Sequence, residues 1–230
     1  MRAFLLIPLF VLMTLSAFGQ QTKHIGATLG LSTYQGDLVQ KNFSLKGAGL
    51  LGGVFFKDYA TPKVGLRGAI NFGTFSGDDD NFDEDLNGRQ FSFKSNFIEF
   101  QGGIEFAPLA KNSYSSGVFQ GGLTPFVSLG FSYVIVNSSP NAEGRIMLVP
   151  GDNNPTKGRF MLPVGLGLRY YLSERITLSG QFDTYFLSGD YLDGISKSGN
   201  PEGNDLLFTG GISLGYRLNT SASKQYNLED

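Results

Sequence analysis

Between Ile25 and Leu38 the chain reads IGATLGLSTYQGDL, and up to Tyr34 it alternates. Ile25, Ala27, Leu29 and Leu31 fall on one face of an extended strand, and His24, Gly26, Thr28, Gly30, Ser32 and Tyr34 fall on the other. The same period of two returns along the chain. A second segment over 47–57 groups Ala48, Leu50, Val54 and Phe56. A third over 64–75 sets Val64, Leu66, Ile70 and Phe72 against Gly65, Arg67, Ala69, Asn71 and Gly73. A fourth, 91–106, sets Ile98, Phe100, Ile104 and Phe106 against Glu99, Gln101, Gly103 and Glu105. Further alternating segments cover 127–135, 159–172, 176–186 and 206–218. The pattern predicts about eight strands of roughly 11 to 14 residues, long for a soluble sheet and suited to tilted strands that span a membrane.

The joins between these segments alternate in length. Those at 37–46, 77–90, 138–157 and 189–205 are long and polar, while KDYATP and SER are short. The join after the fourth segment, APLAKNSYSSGVFQGGLT, is longer than that rule prefers. Short turns at one end and long loops at the other describe an outer-membrane barrel with both chain ends on the periplasmic side. The expected fold is all-β: an eight-stranded antiparallel up-and-down transmembrane β-barrel.

A soluble barrel of the lipocalin kind shares the alternation, and the composition of the second face separates the two. In a soluble barrel the apolar side chains point inward, so the other face meets water and needs Lys and Glu. Here the second face is mostly Gly, Ser and Thr with few charges. The apolar row therefore faces lipid, where a charge near the midplane costs ~2–4 kcal/mol. Arg67, Glu99, Glu105, Arg169, Asp183 and Arg217 then face a lumen too narrow for an open water channel. Buried there, these charges must pair or hydrogen-bond, and Arg67 with Glu99 across the third hairpin is the expected pair.

The first twenty residues, MRAFLLIPLFVLMTLSAFGQ, carry Arg2, an apolar run and small residues at Ala17 and Gly19, which is the form of a secretory signal peptide. The expected organisation is a signal peptide over 1–20, cleaved after Gly19 or Gln20, a barrel over 21–218 and a periplasmic tail over 219–230. The chain holds no Cys, so neither a disulfide framework nor a lipid-attachment thiol is present. Glycine contributes 32 residues, aromatics 13% and charged residues only 17%, which agrees with strands and turns rather than helices. A net charge of −2 without a Lys/Arg cluster excludes a nucleic-acid partner.

Candidate chemistry is sparse. His24 is the single histidine, and a lipid-modifying hydrolase would need it oriented beside a nucleophile or activated water. Its place near the periplasmic mouth, away from the outer-leaflet lipid A, argues against that role. The acidic loop GDDDNFDEDLNG, 77–88, departs from a calcium-binding loop: Glu84 stands where the sharp-turn Gly belongs and Gln90 where the bidentate Glu belongs. No zinc spacing and no phosphate-cradling loop occurs, so no catalytic residue, metal or cofactor is expected.

One family resemblance is carried by the first half of the chain. IGATLGLSTYQGDL, then VGLRGAINFGTFSGDDD, then GRQFSFKSNFIEFQGGIEFAP resemble the PorG-like outer-membrane barrels of Bacteroidota. The matching positions are Tyr34, Gly36, Asp37 and Leu38; Arg67; Gly77, Asp78 and Asp79; and Arg89, Phe91, Ser92, Phe93, Ser95, Glu99, Glu105 and Phe106. The Gly-Asp steps are expected as the turns at which strands leave the membrane. The resemblance implies a non-enzymatic structural or interaction role in the outer membrane of a Gram-negative bacterium, as an accessory of type IX secretion. Its partners would be outer-membrane lipids, lipopolysaccharide and periplasmic secretion-ring proteins. A small passive channel is the alternative from another class, and a lipid-modifying enzyme acting through His24 is the third.

Overall fold

A computed structural model of the chain describes residues 22–35, 47–78, 91–111, 114–115, 118–119, 121–142, 156–187 and 206–218. Regular structure among them is entirely strand: β1 (Thr22–Gln35), β2 (Ala48–Thr61), β3 (Val64–Asp78), β4 (Phe91–Phe106), β5 (Tyr114–Ser115), β6 (Val118–Phe119), β7 (Leu123–Ala142), β8 (Thr156–Tyr171), β9 (Ile176–Leu187) and β10 (Leu206–Arg217). Eight of these close into a barrel in the order β1-β10-β9-β8-β7-β4-β3-β2, and β5 with β6 forms a separate two-stranded hairpin. Each long strand pairs antiparallel with its neighbours in sequence, and β1 closes the ring on β10. Closure leaves no barrel edge strand with unpaired backbone groups, as a lipid environment demands.

The two shortest turns are made by hydroxyls. Thr61 Oγ1 accepts from the amides of Lys63 and Val64 at 3.3 and 3.1 Å, which turns the chain at Pro62 and Lys63. Ser173 Oγ does the same for Arg175 and Ile176 at 3.3 and 3.1 Å. Both turns, the start of β1 and the end of β10 share one rim, called here the chain-end rim. The connection from β4 to β7 lies at that rim too. Ala107 donates its amide to the Lys63 carbonyl at 2.7 Å, Ala110 turns back onto the Ala107 carbonyl at 3.0 Å, and both alanines pack on Phe126.

Several strand ends differ from the expected ones. The fifth alternating segment, expected over 127–135, is a strand over Leu123–Ala142. Its partner β4 begins at Phe91, and the pairing Phe91↔Ala142 carries the ladder into residues whose composition reads as loop. Likewise Gly77 and Asp78, expected at a turn, are β3 residues paired with Phe93 and Ser92. Tyr34, the last residue of the first alternating segment, is within β1 opposite Leu207. At Gly77, Asp78 and the end of β7 the ladder to a neighbouring strand holds an extended conformation that the local residue types do not favour. Gly36, Asp37 and Asp79, the signal segment 1–20, the acidic loop 79–88 and the tail 219–230 lie outside the described residues.

The outward face is an apolar belt. Leu29 is 75% exposed in the middle of β1, and Leu50, Phe72, Phe100, Leu129, Phe131, Leu166 and Ile212 are exposed around the ring. A belt of this extent far exceeds the few hundred Å² of contiguous apolar surface that a soluble monomer shows. Aromatic side chains mark both margins: Phe56, Phe106, Tyr170 and Tyr216 toward the chain-end rim, Tyr133, Phe160 and Phe186 toward the other. On β10, Phe208 and Tyr216 are eight residues apart. At about 3.3 Å rise per residue and about 40° tilt that is roughly 20 Å of height, close to the ~25 Å apolar band of outer-membrane barrels.

Inside, small and large side chains interdigitate. A Cβ on Gly65 would stand 2.5 Å from Cδ1 of Tyr59, and one on Gly73 would meet the Phe97 ring. Gly53 makes room for Asn71 and Gly165 for Asp183 in the same way. The glycines of the inner face are thus the complement of its bulky residues, which is how an eight-stranded barrel fills its interior.

Candidate functional site

Period-two alternation decides which side chains enter the lumen, and strand register decides which of them meet. Arg217 on β10 is opposite His24 on β1, His24 is opposite Lys57 on β2, and Lys57 is opposite Arg67 on β3. One register row across four adjacent strands therefore carries four basic or imidazole side chains, all on the inner face.

The partner of this row comes from β4. Glu105, 1% exposed, lies between Lys57 and Arg169. Its Oε2 accepts from Lys57 Nζ at 2.7 Å, and its Oε1 accepts from the Tyr59 hydroxyl at 2.8 Å and pairs with Arg169. Aromatic faces take up the remaining surface of both cations. Lys57 Nζ stands 5.1 Å from the centre of the Phe55 ring and 5.3 Å from that of Phe126. The Arg169 guanidinium lies 4.6 Å from the Tyr59 ring and 5.4 Å from that of Phe126. Each such contact is worth on the order of 0.5–2 kcal/mol once desolvated. Together they account for two cations held in a barrel core by one carboxylate. Charge-assisted hydrogen bonds to both oxygens and π faces around the cations offset a desolvation cost that an isolated ion would not survive.

A second group lies further from the chain-end rim. Glu99, fully buried, accepts at Oε2 from Asn71 Nδ2 at 2.8 Å and from the Tyr185 hydroxyl at 3.1 Å. Asp183 Oδ1 accepts from Gln181 Nε2 at 2.7 Å and from Ser128 Oγ at 3.4 Å. Arg67 stands between the two groups and donates from Nη1 to Gln181 Oε1 at 3.2 Å. A cavity of about 20 Å³ lined by Arg67, Asn71, Gln101, Gln181, Asp183 and Tyr185 separates them. That volume holds about one water molecule. Arg67 Nε and Gln101 Oε1, both without a protein partner, supply a donor and an acceptor for it.

The inner face thus contains Arg67, Glu99, Glu105, Arg169, Asp183 and Arg217, but the expected pairing of Arg67 with Glu99 is replaced. Across the third hairpin Arg67 is opposite Gly103 and Glu99 is opposite Asn71, four residues away, so the amide of Asn71 reaches the carboxylate and the guanidinium does not. Sequence reasoning missed Lys57, Tyr59 and Tyr185. Phe55, Lys57 and Tyr59 continue the inner-face alternation of β2, a signal hidden because KDYATP has the composition of a turn. His24 is buried, with its ring edge-on to Tyr59 at 5.4 Å between centres. It sits in the basic row, with Arg217 and Lys57 as its register neighbours. Among the described residues no group of three His, Cys, Asp or Glu side chains is arranged to hold a metal ion.

A closed eight-stranded barrel with an apolar belt outside and a packed, charged lumen inside is a transmembrane β-barrel. The chain belongs to the family described as a domain of unknown function, DUF6089, whose pattern matches residues 2–221. No curated protein matches it. Among solved structures it is similar to Ail, the attachment invasion locus protein of Yersinia pestis, in complex with the heparin analogue sucrose octasulfate. The identity is 13% and the TM-score 0.46, over 87% of this chain and 99% of that one. Neisserial surface protein A is similar at 11% identity and a TM-score of 0.46, over 87% and 99%. The outer membrane protein OprG from Pseudomonas aeruginosa is similar at 10% identity and a TM-score of 0.41, over 87% and 96%.

Proposed function

We propose that this protein is a non-enzymatic barrel of the outer membrane of a Gram-negative bacterium, with a structural or interaction role as an accessory of type IX secretion of the PorG-like kind. The observation that carries the non-enzymatic part is the lumen. Its carboxylates are held by neighbouring lumen side chains: Glu105 by Lys57, Tyr59 and Arg169, Glu99 by Asn71 and Tyr185. A catalytic constellation would present such groups to a cleft instead. The outer-membrane assignment is supported by strand-only construction among the described residues, the aromatic margins and short hydroxyl-capped turns at the rim that carries both ends of the described barrel. The secretion role rests on the resemblance of the first half of the sequence to PorG-like barrels.

Partners at the membrane are outer-membrane lipids and lipopolysaccharide along the apolar belt. On the chain-end rim the β4–β7 connection, with its β5–β6 hairpin, is the element available to periplasmic secretion-ring proteins. The test is a deletion strain assayed for secretion of cargo, with affinity capture of the tagged barrel from solubilised envelopes. Loss of secretion and recovery of a periplasmic ring protein are expected. Normal secretion with no ring protein captured would overturn the role while leaving the barrel assignment intact.

A further inference from the structure

We propose that the outward face of β3, β4 and β7, at the rim opposite the chain ends, holds a phosphorylated glycolipid: the sugar-phosphate headgroup on Thr74, Asn96, Asn137 and Lys94, the acyl chains in the groove next to them. The inference rests on the outer-membrane reading above, in which the chain ends are periplasmic and this rim meets the leaflet of lipopolysaccharide. It is independent of the secretion role.

Register places these residues together. Phe72, Ile98 and Ile135 are opposite one another on the three strands, and Thr74, Asn96 and Asn137 form the next row on the same face. In the row after that, Lys94 is opposite Ser76. All have the parity of the lipid face, because the residues between them, Phe75, Ser95, Phe97 and Val136, are buried inside the barrel. Lys94, Asn96 and Asn137 are exposed. Along β4, Asn96 is ten residues from Phe106 at the chain-end margin. At about 3.3 Å rise and about 40° tilt that is about 25 Å of height, so the change from apolar to polar falls where hydrocarbon gives way to headgroups.

The polar row is one end of a groove. A depression of about 870 Å³ on the outer face joins Thr74, Asn96 and Asn137 to Leu50, Phe72 and Ile98. Its floor includes Gly52, where an added Cβ would touch only Leu29 Cδ2, at 3.8 Å. A ligand that fills this groove is apolar along most of its length and polar at one end, and within a membrane that ligand is a lipid. The polar end selects which lipid. Three strands at about 4.8 Å spacing put about 10 Å between β3 and β7, a width that suits sugar rings better than one small headgroup. Asn96 and Asn137 each offer amide donors and a carbonyl acceptor, and Thr74 offers a hydroxyl, which match the mixed donors and acceptors of a sugar. Lys94 is the single charge among Thr74, Ser76, Lys94, Asn96 and Asn137, and its ammonium is a point charge for a phosphate.

The test is native mass spectrometry of the purified full-length barrel in detergent, titrated with diphosphoryl lipid A, with lipid A stripped of its phosphates, and with phosphatidylglycerol. Folding of each protein is checked by heat-modifiable migration on a gel. The wild type is expected to retain diphosphoryl lipid A most tightly, by about fivefold over the phosphate-free form, the scale of an exposed ion pair. Lys94→Gln should erase that difference. Asn96→Ala combined with Asn137→Ala should weaken both forms of lipid A and leave phosphatidylglycerol unchanged. Lys63→Gln, which removes an exposed cation at the chain-end rim, should alter none of the three. Equal retention of the three lipids, equal effects of Lys94→Gln and Lys63→Gln, or dimers that exclude lipid A would each overturn the site. Fractionation of envelopes tests the outer-membrane reading separately. A barrel found in the outer membrane that fails to retain lipid A sinks the site alone, whereas one found in another membrane that retains it sinks that reading and leaves the site's chemistry standing.

Discussion

Lys57 and Arg67 lie opposite each other on β2 and β3, both directed inward, yet Lys57 holds a carboxylate and Arg67 holds an amide. Two like charges on facing positions repel unless something separates their environments. Here Glu105 draws Lys57 toward β4 and Arg169, while Gln181 holds Arg67 from the far side of the lumen. The division sets an order of importance among lumen charges that their chemistry alone does not reveal.

That order gives the first prediction. Glu105→Ala leaves Lys57 and Arg169 buried and unpaired, and should cost about 3–5 kcal/mol of barrel stability. Arg67→Met, which gives up one hydrogen bond to a neutral amide, should cost about 1–2 kcal/mol. Urea unfolding of the barrel in lipid vesicles, read by gel migration, measures both. Equal losses would mean that Glu105 is not the organising carboxylate.

The glycines divide into two classes with opposite expectations. Gly65→Ala drives a methyl group into the Tyr59 ring, which supports Arg169 and donates to Glu105, so a loss of about 1–3 kcal/mol is expected. Gly102, on the lipid face, has nothing within 4 Å of an added Cβ. Gly102→Ala should therefore be neutral or slightly stabilising, by up to about 1 kcal/mol, because it restricts the unfolded chain. The same unfolding assay distinguishes the pair, and a loss at Gly102 equal to that at Gly65 would contradict the assignment of faces.

The buried carboxylate Glu99 offers a third measurement. Tyr185→Phe removes one of its two donors and leaves Asn71, so a cost of about 1.5–3 kcal/mol is expected, the usual value of a hydrogen bond to a charged group. Asn71→Ala in the same background should cost more than the sum of the two single changes, since Glu99 would then have no donor. A double-mutant cycle reports the coupling; simple additivity would show that water replaces both partners.

Strand alternation was legible because a barrel imposes one rule on every residue: Leu29 must meet lipid and Thr28 must not. Faces follow from parity, and parity is a property of the sequence. Pairing is not. Whether Glu99 meets Arg67 or Asn71 depends on a stagger between β3 and β4 that parity leaves free by any even number of residues. Strand ends were hidden for a related reason. Lys57, Asp58 and Tyr59 have the composition of a turn, and what extends β2 through them is its ladder to β1 and β3, a tertiary influence. The basic row across β10, β1, β2 and β3 was equally invisible, since its members are scattered from His24 to Arg217 and only closure of the barrel aligns them.

The lipid face supplies a depth test of the whole arrangement. Leu29 is in the middle of β1 and Leu172 is at the turn after β8, and both side chains are exposed. If the apolar belt spans a bilayer, Leu29→Arg places a charge near the midplane and should cost ~2–4 kcal/mol, while Leu172→Arg at the interface should cost ~0–1 kcal/mol. In detergent micelles, which deform around a charge, the gap should narrow. Equal costs at the two positions in lipid vesicles would mean that the exposed leucines do not report membrane depth, and the tilt and span assigned to the barrel would have to be redrawn. A gradient of cost from Leu172 to Leu29 is therefore the measurement that ties the period-two pattern of the sequence to the thickness of a membrane.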